Sequence, residues 1–242
     1  MRAVLTYHSI DESGSPISIG AADFARHHRW FAARTVPVLS LDELLASPSG
    51  PDAVAITFDD GFRNTRDAIA SLLADQIPVT LFVVTKHVGG TNAWGGKSEE
   101  GIPTAPLLDW DELGRLRDQG AAIEAHTATH PHLPMLTEAG LDDELGAAQD
   151  ELRTRLGGGV TKLAYPYGDL DSRVVGHARR FYSHGFTTGF RPVAQEDDAL
   201  QTPRLDAYYF RHAGWEGWGS GRFDVTLGWI RLKRRIRSLL VR

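Results

Sequence analysis

The chain has 242 residues, 42% hydrophobic and 24% charged, which is enough apolar material for one sizeable core in an ordinary soluble composition. Its 26 Lys and Arg against 31 Asp and Glu leave a formal charge of −5; that balance argues against a nucleic-acid-wrapping surface, so no nucleic-acid partner is expected. With no cysteine, disulfides and thiolate metal sites are excluded, and any transition metal must be held by His, Asp or Glu.

In chain order, "AVLTY" (3–7), "AVAITF" (53–58), "VTLFVV" (79–84), "AAIEAH" (121–126) and "KLAYPY" (162–167) are short apolar or β-branched runs that predict strands. Between them, residues 21–34, 64–76, 109–120 and 137–157 carry helical periodicity, with Asp109 and Thr137 as N-caps and Gly120 and Gly157 as stops. This alternation predicts a parallel sheet covered by helices, and the number of repeats favours a closed or nearly closed α/β barrel in one domain. The Gly-rich, aperiodic stretch 88–108 follows a strand and belongs on the C-terminal rim, where α/β sites lie. No apolar run approaches the roughly 20 residues needed to span a bilayer. "MRAVLTYHSI" also lacks the features of a signal peptide, so a cytoplasmic location is expected.

Three strand ends carry candidate chemistry. "ITFDDGF" (56–62) places Asp59 and Asp60 together; a turn at Gly61 would let both reach one pocket, while a polar strand end is the plainer reading. "EAHTATHPHL" (124–133) spaces His126 and His130 four apart after a strand, a pair that with one carboxylate makes a facial ligand set. An incidental pair is the alternative, and His132 reads as a rim residue. "LAYPYGDLD" (163–171) has a sharp turn at Pro166 and Gly168, structural or aimed at an oxyanion.

In this order "TFDDG", "HTATH" and "YPYG" resemble the polysaccharide deacetylases, the NodB-homology or family 4 carbohydrate esterases, over about residues 2–206. The resemblance implies a distorted (β/α)7-type barrel and a metal-dependent hydrolase that removes an acetyl group from an N-acylated amino sugar. It implies Asp60, His126 and His130 as ligands of one divalent ion; a His₂Asp donor set suits zinc first, and also cobalt, nickel or iron. Asp59 would be the base and the Tyr167 N–H an oxyanion donor. Two departures stand out. The arginine that the family often has two residues before the proline is replaced by Ala164, and Arg204 in "TPRLDAY" is a candidate substitute reaching Asp59 from a later strand, or else a solvated strand-end arginine. The late leucine-x-histidine motif is missing, since His212 stands in poor context. "VLTYHSI" instead resembles the start of the poly-N-acetylglucosamine deacetylase branch, which implies His8 as the acid; a His packed under a loop is the alternative. His184 reads as the start of a strand.

The domain is expected over 1–226, followed by a basic amphipathic helix over 227–242 that includes Arg231, Lys233, Arg234, Arg235, Arg237 and Arg242 and no acid. Such a helix covers a barrel end or touches an anionic membrane surface, which would suit a lipid-linked sugar as substrate. A catalytically silent carbohydrate-binding member is the rival from a different class.

Overall fold

A computed structural model describes residues 1–212 and 214–240, except the side chains of Arg235 and residues 237–240. The strands are β1 (Arg2–Tyr7), β2 (Ser9–Ile10), β3 (Ser18–Ile19), β4 (Ala53–Phe58), β5 (Val79–Val83), β6 (Ala122–Ala125), β7 (Lys162–Ala164), β8 (His184–Phe186) and β9 (Arg204–Asp206). The helices are α1 (Ala21–Ala32), α2 (Leu41–Ala46), α3 (Arg66–Ala74), α4 (Trp110–Asp118), α5 (Glu138–Leu156), α6 (Ser172–Phe181) and α7 (Gly221–Leu240). Seven strands form one parallel sheet in the order β8-β7-β6-β5-β4-β1-β9, and β2 and β3 pair separately. The two edges nearly meet: Phe186 bridges Thr202, and the Arg204 N–H donates to Gly189 O at 3.1 Å. The result is a nearly closed barrel wrapped by helices.

Residue size explains the curvature. β4, "AVAITF", is buried throughout and alternates small with large. Val54, Ile56 and Phe58 face the helices, in one cluster with Leu5, Leu81, Leu163 and Leu205, whereas Ala53 and Ala55 face inward with Val4 and Ala164. Small inward residues leave room for Phe82 and Phe186, whose rings lie 5.3 Å apart and fill the barrel's middle. Leu41 and Leu44 of α2 join this interior cluster. Below it the buried Lys162 ammonium bonds Glu124 at 3.1 Å and Asp42 at 2.9 Å.

Helix ends follow side-chain chemistry. Asp109 and Glu112 form a capping box at α4, Thr137 caps α5, and Gly157 ends α5 with φ 71°. The strand expected over 162–167 stops at Ala164, because the chain turns at Pro166, which has no N–H to give a ladder. Two helices have no counterpart among the expected elements: α2, opened by a Ser40–Glu43 capping box, and α6, capped by Asp171. α7 starts at Gly221, ahead of the expected 227, and Arg242 lies outside the described residues, as do the side chains of Arg235, Arg237, Leu239 and Leu240. No helix among the described residues is long and apolar enough to cross a membrane.

Trp215 fastens the C-terminal segment to the barrel. It is fully buried, lies 4.3 Å from the Phe210 ring and 5.2 Å from His27, and its Nε1–H donates to the Tyr7 hydroxyl at 3.3 Å. Replacing it by Ala should lower unfolding stability by about 3–5 kcal/mol, the usual range for a buried tryptophan, measured by urea denaturation. A loss below about 1 kcal/mol would show that this segment does not support the barrel.

Candidate active site

The inward parity of the strands points side chains at one cleft. In β1, Val4 faces inward, so Thr6 and then His8 follow the same side; in β4, Ala53, Ala55 and Thr57 lead to Asp59. Glu124 leads to His126, and Arg204 and Asp206 of β9 share the inward face. By this rule Asp60 would point outward. It does not, because the backbone turns at Asp60 itself, with φ 67°, one residue before the expected Gly61. The Gly61 N–H donates to Asp59 O at 2.8 Å and closes that turn. His8, Asp59, Asp60, His126, His130, Tyr167 and Arg204 all line the same cleft.

Asp60, His126 and His130 are buried, and one potential ligand atom from each lies within 4.8 Å of the others. Asp60 Oδ1 stands 3.3 Å from His126 Nε2 and 3.4 Å from His130 Nε2. Donors about 2.1 Å from a tetrahedral zinc ion stand about 3.4 Å apart, so the spacing fits one ion. His126 Nδ1 lies 2.7 Å from Ala164 O, so it carries a proton and donates there; Nε2 then faces Asp60 and, in a neutral imidazole, presents a bare lone pair to it. Asp60 Oδ1 is buried without a hydrogen-bond partner, and lone pair facing lone pair requires positive charge between them. A proton on His126 meets the same need: burial opposes it, but the Asp60 and Asp59 carboxylates outweigh burial and shift His126 upward. Burial pushes His130 down to about 3 against the pull of Asp60, so it stays a neutral donor.

The other acid is held differently. Arg204 donates Nη1–H to Asp59 Oδ1 and Nη2–H to Asp59 Oδ2, both at 2.7 Å, with both residues buried. Its guanidinium also lies over Phe82 and donates Nε–H to Thr187 O at 3.2 Å. Arg204 is therefore not a solvated strand-end residue. Burial alone would raise the Asp59 carboxyl; Arg204, His126 and His8 reverse this and hold it below its ordinary value. His8 Nε2 lies 3.8 Å from Asp59 Oδ2 across the cleft.

Loops complete the walls. Tyr167 sits in the turn after β7 with φ 60°, its edge toward His130 and its face stacked on His132 at 4.1 Å. Gly168 cannot be replaced without movement, since a Cβ there would run into the side chain and backbone of Thr188. The 88–108 segment folds back on itself at the rim, through Gly89 to Leu108 and Leu107 to Gly90 hydrogen bonds, and stacks Trp94 on His130 at 4.5 Å. Three cleft or support residues carried no recognisable signal. Trp94 was one residue in an aperiodic loop, and Asp206 ends a strand of three residues. Glu144 of α5 accepts from the Ala128 and Thr129 N–H groups at 2.9 and 2.8 Å, holding the loop between the two histidines. His184 begins β8, and His212 lies beside Asp23 on the surface.

Comparison with known proteins agrees with this architecture. A family model described as polysaccharide deacetylase matches residues 46–186. The Bacillus subtilis protein YxkH is 26% identical over 192 residues, covering 76% of this chain; the chain spans 63% of that relative's length. A poly-β-1,6-N-acetyl-D-glucosamine N-deacetylase of Staphylococcus epidermidis is 25% identical over 219 residues, 83% of this chain and 73% of that one. Among solved structures, IcaB from Ammonifex degensii superposes with a TM-score of 0.72 at 22% identity, covering 86% of this chain and 93% of that one. The chain belongs to the polysaccharide deacetylase family.

The Asp59–Arg204 pair gives a pH signature. A carboxyl held below its unfolded value contributes stability that is present above about pH 4 and is lost as pH falls through the lowered folded value. Arg204→Met strands a buried carboxylate and should cost about 3–5 kcal/mol at neutral pH, with a smaller gap to the native chain near pH 3. Urea midpoints across that range check it; a gap independent of pH would mean the pair is not the cause.

Proposed function

We propose that the chain is a metal-dependent hydrolase that removes an N-linked acetyl group from an amino-sugar glycan. The observation that carries this reading is the spacing of Asp60, His126 and His130, three buried donors beside a second, separately compensated carboxylate. They would hold one divalent cation; the N,N,O donor set suits zinc, and also cobalt, nickel or iron. Such an ion supplies a Lewis acid that polarises an acyl carbonyl and acidifies water.

The protein's own groups do the rest. Asp59 takes the proton from the attacking water: Arg204 keeps it ionised and oriented, and each carboxylate oxygen retains a second lone pair. Oxygen adds to the acyl carbon while the turn at Tyr167 offers its N–H to the developing oxyanion. His8, across the cleft from Asp59, gives a proton to the departing nitrogen as the carbon–nitrogen bond breaks. The products are acetate and a free amino sugar. That a relative carries the name poly-β-1,6-N-acetyl-D-glucosamine N-deacetylase supports an acetamido sugar as substrate. A second reading keeps these atoms and takes a lipid-linked sugar for deacylation or deformylation, with 227–242 at the membrane surface; the basic composition of that helix favours it. The intact ligand set and base argue against a silent binding member.

Metal analysis paired with acetate release from an N-acetylglucosamine oligomer, with and without chelator, tests the reading. No release from metal-loaded protein on glycans and lipid-linked sugars alike would sink it. Asp59→Asn should abolish turnover and keep the metal, whereas His126→Ala should lower metal occupancy. Metal loss in the first variant would mean the two acids have exchanged roles. His8→Ala should slow turnover by roughly 10²-fold or more; near-normal rates would assign the acid elsewhere.

A further inference from the structure

α7 presents two unlike faces. On one, Phe223 and Leu227 are buried in the core, Arg231 donates Nε–H to Phe190 O at 2.9 Å, and Arg234 lies over the Phe190 and Tyr209 rings. On the other, Val225 and Trp229 are each 61% exposed, and Leu232 and Ile236 each 48%. Their spacing of four, three and four residues puts them on a single stripe. Among the described residues only one other large hydrophobic side chain, Met135, is comparably exposed, so the exposed apolar surface is concentrated here.

Charge selects the occupant. Residues 221–240 contain Arg222, Arg231, Lys233, Arg234, Arg235 and Arg237 against one acid, Asp224, a net of +5 in a chain whose total is −5. Arg222 and Lys233, both exposed, lie together along one side of the stripe on the helical wheel. A second copy laid stripe to stripe would bring +5 against +5, and a nucleic acid would satisfy the cations while leaving the apolar stripe in water. An anionic bilayer surface satisfies both: the stripe enters the acyl boundary, an indole sits at the headgroup level, and the basic residues beside the stripe meet lipid phosphates.

We infer that α7 is an interfacial anchor that binds anionic lipid bilayers through Val225, Trp229, Leu232 and Ile236. The anchor adjoins the site. At the base of the barrel Trp218, just ahead of α7, donates Nε1–H to Met1 O at 3.3 Å, and on α7 itself Arg234 donates to Thr188 O at 3.2 Å; Thr188 lines the cleft. A bilayer holding α7 therefore stands beside the cleft mouth. This inference does not depend on the catalytic reading, although it would favour substrates presented at a membrane.

The test is co-sedimentation of the full chain with vesicles of phosphatidylcholine alone or mixed equally with phosphatidylglycerol. Binding to the anionic vesicles only, weakened by salt, is expected. Trp229→Ser combined with Leu232→Ser should weaken it by about tenfold or more, and Lys233→Glu by severalfold, with unchanged circular dichroism and thermal melting. Acetate release from a soluble oligomer should be unaffected by these variants, which separates the anchor from the hydrolase. Three results would overturn it: no binding to anionic vesicles, equal binding by native and variant chains, or a dimer dissolved by the substitutions without any vesicle binding.

Discussion

Two adjacent carboxylates buried at the mouth of a barrel repel one another and resist leaving water, and much of this fold answers that problem. Asp59 and Asp60 are handled from opposite sides: Asp59 is paired with a two-pronged arginine, and Asp60 faces two imidazoles in a set that could hold a cation. The division is possible only because the chain reverses handedness at Asp60. Had β4 simply continued, one acid would face the cleft and the other the helices.

Holding that arrangement takes strain. Of the six non-glycine residues with positive φ among the described residues, Asp60, Thr127, His130 and Tyr167 lie at the site. Such conformations cost of order 1–3 kcal/mol each and persist where surroundings enforce them. Glu144 enforces two of these positions by clamping the N–H groups of the loop between Thr127 and His130, and the Gly168–Thr188 contact confines the turn carrying Tyr167. The ion-ready face is thus kept in place by residues that never touch it.

The barrel and its cleft were legible because strand periodicity is blunt and repeated. "AVAITF" ends where the structure ends it, and even the placement of Asp59 follows from counting two by two. The acids, the histidine pair, His8 and Arg204 reach one cleft as their motifs suggested. Less visible was whatever depends on a single contact across the fold. α2 and α6 are marked only by caps at Ser40 and Asp171, which resemble any polar turn until the helix is seen. Glu144 reads as one more helix-surface acid, and Trp94 as a loop aromatic, because their partners are distant in the chain and no spacing encodes them.

Arg204 has a consequence for how the molecule comes into being. It stands 145 residues beyond Asp59 and arrives on the last strand, which docks beside the first. At a ribosome's pace of about 5–20 residues per second, the nascent protein carries its acid pair without that guanidinium for roughly 7 to 30 seconds. During that interval mutual repulsion favours keeping the mouth of the half-built sheet hydrated. The final strand then acts as a latch, closing the wall and neutralising Asp59 in one event, so that a chain released early would lack both closure and charge balance.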